Sequence, residues 1–306
     1  MKQTTRNIVM VRPVNFFSNP ETSDSNRFQK PEQRPACAQS AASAEFDGYV
    51  VALRAAGVQV LVIDDLQPGD TPDSIFPNNW ISMHADGRVF LYPMEAPNRR
   101  RERRDSTLQR LRQDFHIESV VDLSHFEAQQ QFLEGTGSIV FDHPARVAYV
   151  CLSSRSHPAV LEALLAQLGY RAVLFDAVDR HGTAIYHTNV MMAVGSRLAV
   201  VCLESIRDAA QREVLCSSLR QAGKEIIDID YRQMESFCGN VIELADADGK
   251  AVFAMSSRAW HSFTPAQQAQ LQANGRVAHA PLDTIENLGG GGARCMVAEN
   301  FLPEKR

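Results

Sequence analysis

The sequence contains no apolar run near the ~18 residues that a membrane span requires, and its opening MKQTTRNIVMVRP holds too short a hydrophobic stretch for a secretory signal. A cytoplasmic protein with no membrane partner is therefore expected. The six cysteines, Cys37, Cys151, Cys202, Cys216, Cys238 and Cys295, form no CxxC pair, and no His/Cys group has zinc spacing. This argues against a disulfide framework or a zinc site, and neither a metal nor an organic cofactor is expected. Excess positive charge is also missing. The formal net charge is −5 and the pI about 6.0, which gives no general attraction for nucleic acid or anionic lipid. The glycine run at 289–292 is followed by Ala-Arg-Cys rather than Gly-Lys-Ser/Thr, so it is no phosphate loop. A small molecule is the partner these absences leave.

What is present is an internal repeat in a chain of 306 residues, 44% of them apolar, which suffices for a substantial core. One order of strand, loop, hairpin and helix recurs. It opens with VQVLVID (58–64), the loop DLQPGDTPDSIFP and the hairpin NNWISMHADGRVFLYP turned at Asp86-Gly87, and an Arg-rich helix follows Pro97. The second round has IESVVDL, GSIVFDHPARVAYVCLS and a helix with Ser156 as N-cap and Gly169 as C-cap. The third has RAVLFDA, NVMMAVGSRLAVVCL and a helix in SIRDAAQREVLCSSLRQAG; the fourth has KEIIDID, GNVIELADADGKAVFAMS and a helix ending at Gly275. A fifth round is split between RVAHAPLD and ARCMVAENF near one terminus and RNIVMVRP and EFDGYVVALRAAG near the other.

The first hairpin residues fall at 78, 137, 189, 239 and 293, in steps of 59, 52, 50 and 54. Near-constant steps predict an α/β fold, a five-bladed propeller with pseudo-fivefold repeats, in one domain over 1–306 whose last blade is completed by the N-terminal strand and helix. An ordinary open α/β sheet is the alternative, but it does not predict a hairpin in every round.

In a ring, the segments between strand and hairpin converge at one end of the axis. They are PDSIFPNN, LEGTGS, YHTN, ESFCGN and LGGGGARC, and they supply Asp73, Asn79, Glu134, His187, Asn189 and Asn240 around Cys295. A thiol, a proton shuttle and a carboxylate to orient shuttle or substrate are the parts of nucleophilic catalysis. Each has a blander reading: a packing cysteine, a structurally bonded histidine, a turn-supporting glutamate, a flexible glycine connector. The glycines are expected to let the backbone pass close to a ligand and to offer N–H groups beside the thiol.

The repeats together with PDSIF, LEG, HTN and GGGGARC resemble the guanidino-group-modifying, or pentein, superfamily, and most nearly dimethylarginine dimethylaminohydrolases and bacterial citrulline-utilization hydrolases. The resemblance implies Cys295 as nucleophile, His187 as general acid/base and Glu134 as the acid beside the reacting group. It further implies that Asp73 holds the substrate nitrogens and that Arg99 and Arg155 bind the α-carboxylate. The rest of NRRRERRD is expected to be a solvated helix face. Where guanidinium-binding relatives carry acids, this chain has Asn79 and Asn189. Asparagines match the donors and acceptor of a neutral ureido group, so citrulline is favoured over arginine as substrate. Production of citrulline from arginine or methylated arginine, amidino transfer to an amine, and a non-enzymatic pentein-fold binding protein are the alternatives. Residues 18–40 are polar and loop-like, a candidate lid. Oligomeric state is left open, with a homo-oligomer among the options.

Overall fold

The computed structural model describes residues 2–23, 26–30, 37–65 and 71–305. Its regular structure is a mixed α/β arrangement of five small sheets, each of three strands. In chain order the strands are β1 (Asn7–Arg12), β2 (Gln59–Asp64), β3 (Ile81–Met83), β4 (Arg88–Leu91), β5 (Ser119–Asp122), β6 (Val140–Asp142), β7 (Val147–Cys151) and β8 (Arg171–Phe175). They continue with β9 (Met192–Val194), β10 (Leu198–Val201), β11 (Glu225–Asp228), β12 (Ile242–Ala245), β13 (Ala251–Ser256), β14 (Arg276–Ala280) and β15 (Ala298–Glu299).

All five sheets share one topology. β3-β4-β5, β6-β7-β8, β9-β10-β11 and β12-β13-β14 each pair an antiparallel hairpin with a third, parallel strand. In the fifth, β15 runs antiparallel to β1, and β1 parallel to β2. The structure thus shifts the phase of the repeat: each strand read as opening a round pairs with the hairpin before it. RVAHAPLD, assigned above to the split round, is β14 of the fourth sheet, and VQVLVID is β2 of the fifth. The physical reason is the helix between hairpin and third strand. It carries the chain back along the sheet, so the next strand is parallel to the one before the helix.

Burial follows this order. The middle strands β7 and β10 are buried at every residue, whereas the third strands β8, β11 and β14 alternate buried with exposed. A strand covered on both faces must be apolar throughout, which explains VAYVC and LAVV. The helix Ala38–Ala55 closes one core by burying Ala42, Phe46, Tyr49 and Leu53 at helical spacing.

Two local expectations change. The helix Pro158–Leu168 is capped by the ring of His157, which accepts from Ala159 N–H at 3.2 Å, and not by Ser156. Pro158 at the first helical position fixes that start, and Gly169 at φ +70° ends it. Of the arginines from Arg99 to Arg104 only Arg101 is exposed, and they form no helix face. Pro97–Glu102 is a 3-10 turn, Arg100 donates to the carbonyls of Met94 and Glu95, and Arg103 donates to the Tyr92 carbonyl and to Glu127. Arg104 pairs with Asp65, and the α-helix begins only at Asp105. A carbonyl-rich turn at 92–96 offers these side chains acceptors that a helix face lacks.

Candidate active site

Immediately before the first strand of several sheets the chain makes one tight turn. The turns are Pro77–Asn79, Gly135–Ser138, Thr188–Met191, the bend reaching Asn240, and the turn at 293–296 that carries Cys295. Gly137, Asn189 and Ala293, read from sequence as the first residues of hairpins, therefore sit in turns. This aims the neighbouring side chains at a common point.

At that point lies the Cys295 thiol, 3% exposed. Asn240 Nδ2 donates to its sulfur at 3.2 Å and Asn189 Nδ2 at 3.4 Å. The direction of the Asn240 amide is set elsewhere, since its Oδ1 accepts the Arg294 N–H and its Nδ2 also donates to the Asn189 carbonyl. Burial pushes the thiol pKa up, and the asparagine donors and a backbone bond at Gly292 pull it back.

His187 Nε2 meets Glu134 Oε2 at 2.9 Å, both side chains buried. Burial lowers the imidazole pKa to about 4 against the pull of Glu134, so the ring is neutral near pH 7. Burial alone would raise the Glu134 pKa; Arg155, His187 and Arg99 outweigh it and hold the carboxylate well below its usual range. Arg155 reaches Glu134 at 3.4 Å and Glu95 at 3.1 Å and lies over the Tyr186 ring. Arg99 is gripped by both oxygens of Glu102 at 3.0 Å, donates to Asn79 Oδ1 at 2.8 Å, and stands 3.7 Å from Glu134 and 3.8 Å from Asp73. The guanidinium is buried, and these carboxylates keep it charged despite that burial.

Asp73, Asn79, Arg99, Arg155, His187 and Cys295 line one cavity together with Thr22 and Asn26. It encloses about 10 Å³, close to the room one water needs. Asn19 and Asn26 border it: Asn19 Nδ2 donates to Asp73 Oδ2 at 2.8 Å, and Asn26 Nδ2 donates to the Gly289 carbonyl at 3.2 Å. Two buried acceptors of the site are left without a partner, Asp73 Oδ1 and Asn189 Oδ1. Among the described residues no group of three or more His, Cys, Asp or Glu could hold a metal ion.

The family of this chain can now be stated. The sequence profile described as N,N dimethylarginine dimethylhydrolase, eukaryotic, matches residues 12–302. The chain belongs to that family. It is a pentein hydrolase of non-peptide C–N bonds in guanidino-type groups. No curated protein matches it in sequence. Among solved structures, the N-terminal domain of ArgZ with a covalently bound reaction intermediate superposes with a TM-score of 0.74 at 16% identity, over 97% of this chain and 99% of that one. Another ArgZ structure is described as an arginine dihydrolase from the ornithine-ammonia cycle in cyanobacteria. Unliganded AgrE gives 0.75 at 15% identity over 98% of this chain but 40% of its own length. A dimethylarginine dimethylaminohydrolase variant bearing an S-methyl-L-thiocitrulline adduct gives 0.64 at 15% identity, over 97% and 99% of the two chains. At these identities the likeness shows a shared fold.

Within this dimethylarginine dimethylhydrolase family member, all nine residues singled out from sequence gather in or against one cavity. Others were missed. Glu102 anchors Arg99 from three residues on, a spacing visible in NRRRE; Tyr186, beside His187, donates its hydroxyl to the Gly290 carbonyl at 2.7 Å. Asn78 is fully buried with Nδ2 unpartnered, and Asn98, next to Arg99, pairs with Asn19 of the segment read as a lid. The glycines also make close contacts within the protein. Gly290 has φ +65° and ends the helix Asp283–Gly289, and a Cβ there would meet the Asn26 amide at 2.5 Å. The N–H groups of Gly290, Arg294 and Cys295 are bonded to Glu286 O, Asn240 Oδ1 and Gly292 O. The run thus makes room for protein side chains, Gly289 and Gly291 line the cavity, and the donors at the sulfur are asparagine amides. A further glycine is decisive: a Cβ on Gly137 would lie 2.4 Å from Asn79 Nδ2 and 2.8 Å from His187 Nδ1.

Proposed function

We propose that Cys295 is the nucleophile of a hydrolase acting on the ureido group of an arginine-like amino acid, with citrulline as substrate and ornithine, ammonia and carbon dioxide as products. The observation carrying this reading is a thiol held by two amide donors beside two buried, unpartnered acceptors. His187 starts neutral and takes the thiol proton as sulfur bonds to the ureido carbon. Glu134 stabilises the imidazolium, which then protonates the departing nitrogen, and ornithine leaves. His187 next takes a proton from water, whose oxygen attacks the S-carbamoyl carbon. The C–S bond breaks, the thiol regains a proton, and carbamate decomposes to ammonia and carbon dioxide. The Asn189 and Asn240 amides join the N–H groups of the glycine run as donors for the developing oxyanion.

Asp73 Oδ1 and Asn189 Oδ1 would accept the substrate N–H groups. Glu134 is bonded to Arg155, to His187 and to the Glu95 N–H, which leaves few acceptors for a guanidinium. Arg155 and Arg99 are assigned to the α-carboxylate, with Arg99 held in place by Glu102. Because the cavity is so small, Asn19, Thr22 and Asn26 would have to move away from it for substrate to enter; residues 24–25 and 31–36 of the expected lid lie outside the described residues. The repeated topology and the β15-β1-β2 sheet support closure of the five sheets into one propeller domain, with the N-terminal strand and helix completing the last unit.

The family match favours a second reading, in which a methylated arginine loses its methylamine and leaves as citrulline. Incubation with citrulline, arginine and dimethylarginine, followed by mass spectrometry of all products, decides between them. Ornithine from citrulline supports the first reading, and citrulline accumulating from dimethylarginine supports the second. A product formed only when an acceptor amine is added would mean amidino transfer.

A further inference from the structure

We propose that Asn19 is a specificity-determining residue, which occupies one oxygen of Asp73 and thereby turns the pocket toward a ureido group and away from a guanidinium. This rests on the reading of Asp73 as a substrate ligand.

Asn19 is 0% exposed, and all four of its amide positions are used. One Nδ2 hydrogen goes to Asp73 Oδ2 at 2.8 Å and the other to Asn98 Oδ1 at 3.2 Å, while Oδ1 accepts from Asn98 Nδ2 at 2.8 Å and from the Glu21 N–H at 3.0 Å. A flipped amide would place oxygen against the Asp73 carboxylate and lose all four bonds, so the N–H points at Asp73 of necessity. The clasp is itself held, because the Asn98 N–H donates to Glu21 at 2.9 Å. Thr22 Oγ1 stands 3.4 Å from the same Oδ2. Asp73 therefore turns two unequal oxygens toward its surroundings. Oδ2 is engaged by the covering segment, and Oδ1 is buried with no partner.

That inequality bears on which group the pocket accepts. A guanidinium presents five N–H donors and no acceptor, and a carboxylate grips it best through two parallel bonds, one to each oxygen. A ureido group presents three N–H donors and a carbonyl that takes bonds from amides. Each acceptor already used inside the protein thus counts more heavily against arginine than against citrulline. Asn79 Oδ1 is already used by Arg99, and Asn19 removes half of Asp73 in the same way.

The test compares kcat/KM for arginine and for citrulline in the wild type, Asn19→Ala, Asn19→Ser and Asn98→Ala, with thermal denaturation to confirm folding. Serine keeps a hydroxyl for the Glu21 turn but is too short to reach Asp73. Both Asn19 variants are expected to raise the arginine-to-citrulline ratio about tenfold, the worth of one charge-assisted hydrogen bond. Asn98→Ala loosens the same clasp and leaves the Asn19–Asp73 bond, so its ratio should stay at the wild-type value. A segment that merely covers the site would lower both specificity constants together. An unchanged ratio in the Asn19 variants, or an equal change in Asn98→Ala, overturns the proposal. A wild type that prefers arginine would instead refute the citrulline reading, and the change in ratio would still judge Asn19.

Discussion

The one-turn helix Thr188–Met191 stands between two buried cysteines that differ in what their sulfurs do. On one side Thr188 Oγ1 accepts the Cys151 N–H at 2.9 Å, and the Cys151 thiol donates to the Ile185 carbonyl at 3.5 Å while its sulfur takes a single donor, the Thr188 hydroxyl, at 3.5 Å. On the other side Asn189 donates to the Cys295 sulfur, as does Asn240. Burial raises both thiol pKa values, that of Cys151 to about 12. A thiol that donates to a carbonyl is held in its protonated form, whereas one that receives two N–H donors has its thiolate prepared. Burial alone does not separate a nucleophile from a packing residue; the polarity of the hydrogen bonds at sulfur does.

The sharpest break between the two sides is expected on truncation. Cys295→Ala should lower turnover by at least about 10³-fold with folding intact, while Cys151→Ala should leave kcat near wild type and cost about 1 kcal/mol of stability. Steady-state assays and thermal melts on both variants measure this, and equal loss of activity in the two would erase the comparison. His187→Gln, on the nucleophile's side, should reduce kcat by about 10²-fold with little change in ligand affinity. Turnover at the wild-type rate would make His187 structural.

A smaller effect sharpens the role of the asparagines. Removing an amide donor in Asn240→Ala or Asn189→Ala withdraws support from the thiolate, so the thiol pKa rises further. The rising limb of kcat/KM against pH should move to higher pH, with about a tenfold loss at pH 7. Thr188→Val, on the Cys151 side, should leave the profile in place.

The smallest expected effect concerns stability. His187 titrates at about 4 in the fold and near the ordinary 6.5 when unfolded. The unfolded chain therefore binds the extra proton between those values, so the contribution is complete above about pH 6.5 and is lost as pH falls toward 4. Burial lowers His84 to about 4 and His143 to about 3, and both act in the same direction. His187→Gln should lessen the acid-induced fall in Tm without abolishing it, as melts from pH 7 to 4 would record. An unaltered slope would mean that His187 is protonated in the fold.

Much of the site was legible because its residues fall in corresponding loops of a repeat. Asp73, Asn79, Glu134, His187, Asn189, Asn240 and Cys295 each precede a strand at the same phase, and local alternation reveals such phases. Asn19 and Asn98 were not legible. Their partners lie on other segments, Asp73 being 54 residues from Asn19, and no periodicity links them. The N-terminal cap of the 158–168 helix was misplaced by one residue for a related reason: Ser156 and His157 both fit, and only the contact to Ala159 distinguishes them.

The sequence by itself determined that five similar units of strand, hairpin and helix recur and that a thiol, an imidazole and a carboxylate stand in equivalent loops, since both follow from order and spacing along the chain. Tertiary structure decided which hairpin each strand joins, which glycines yield space to Phe76, Asn26 and Asn240, and which acceptors remain unpartnered beside Cys295. Those outcomes depend on hydrogen bonds and close contacts between segments far apart in the chain. Such contacts have direction as well as proximity, and a linear pattern carries neither.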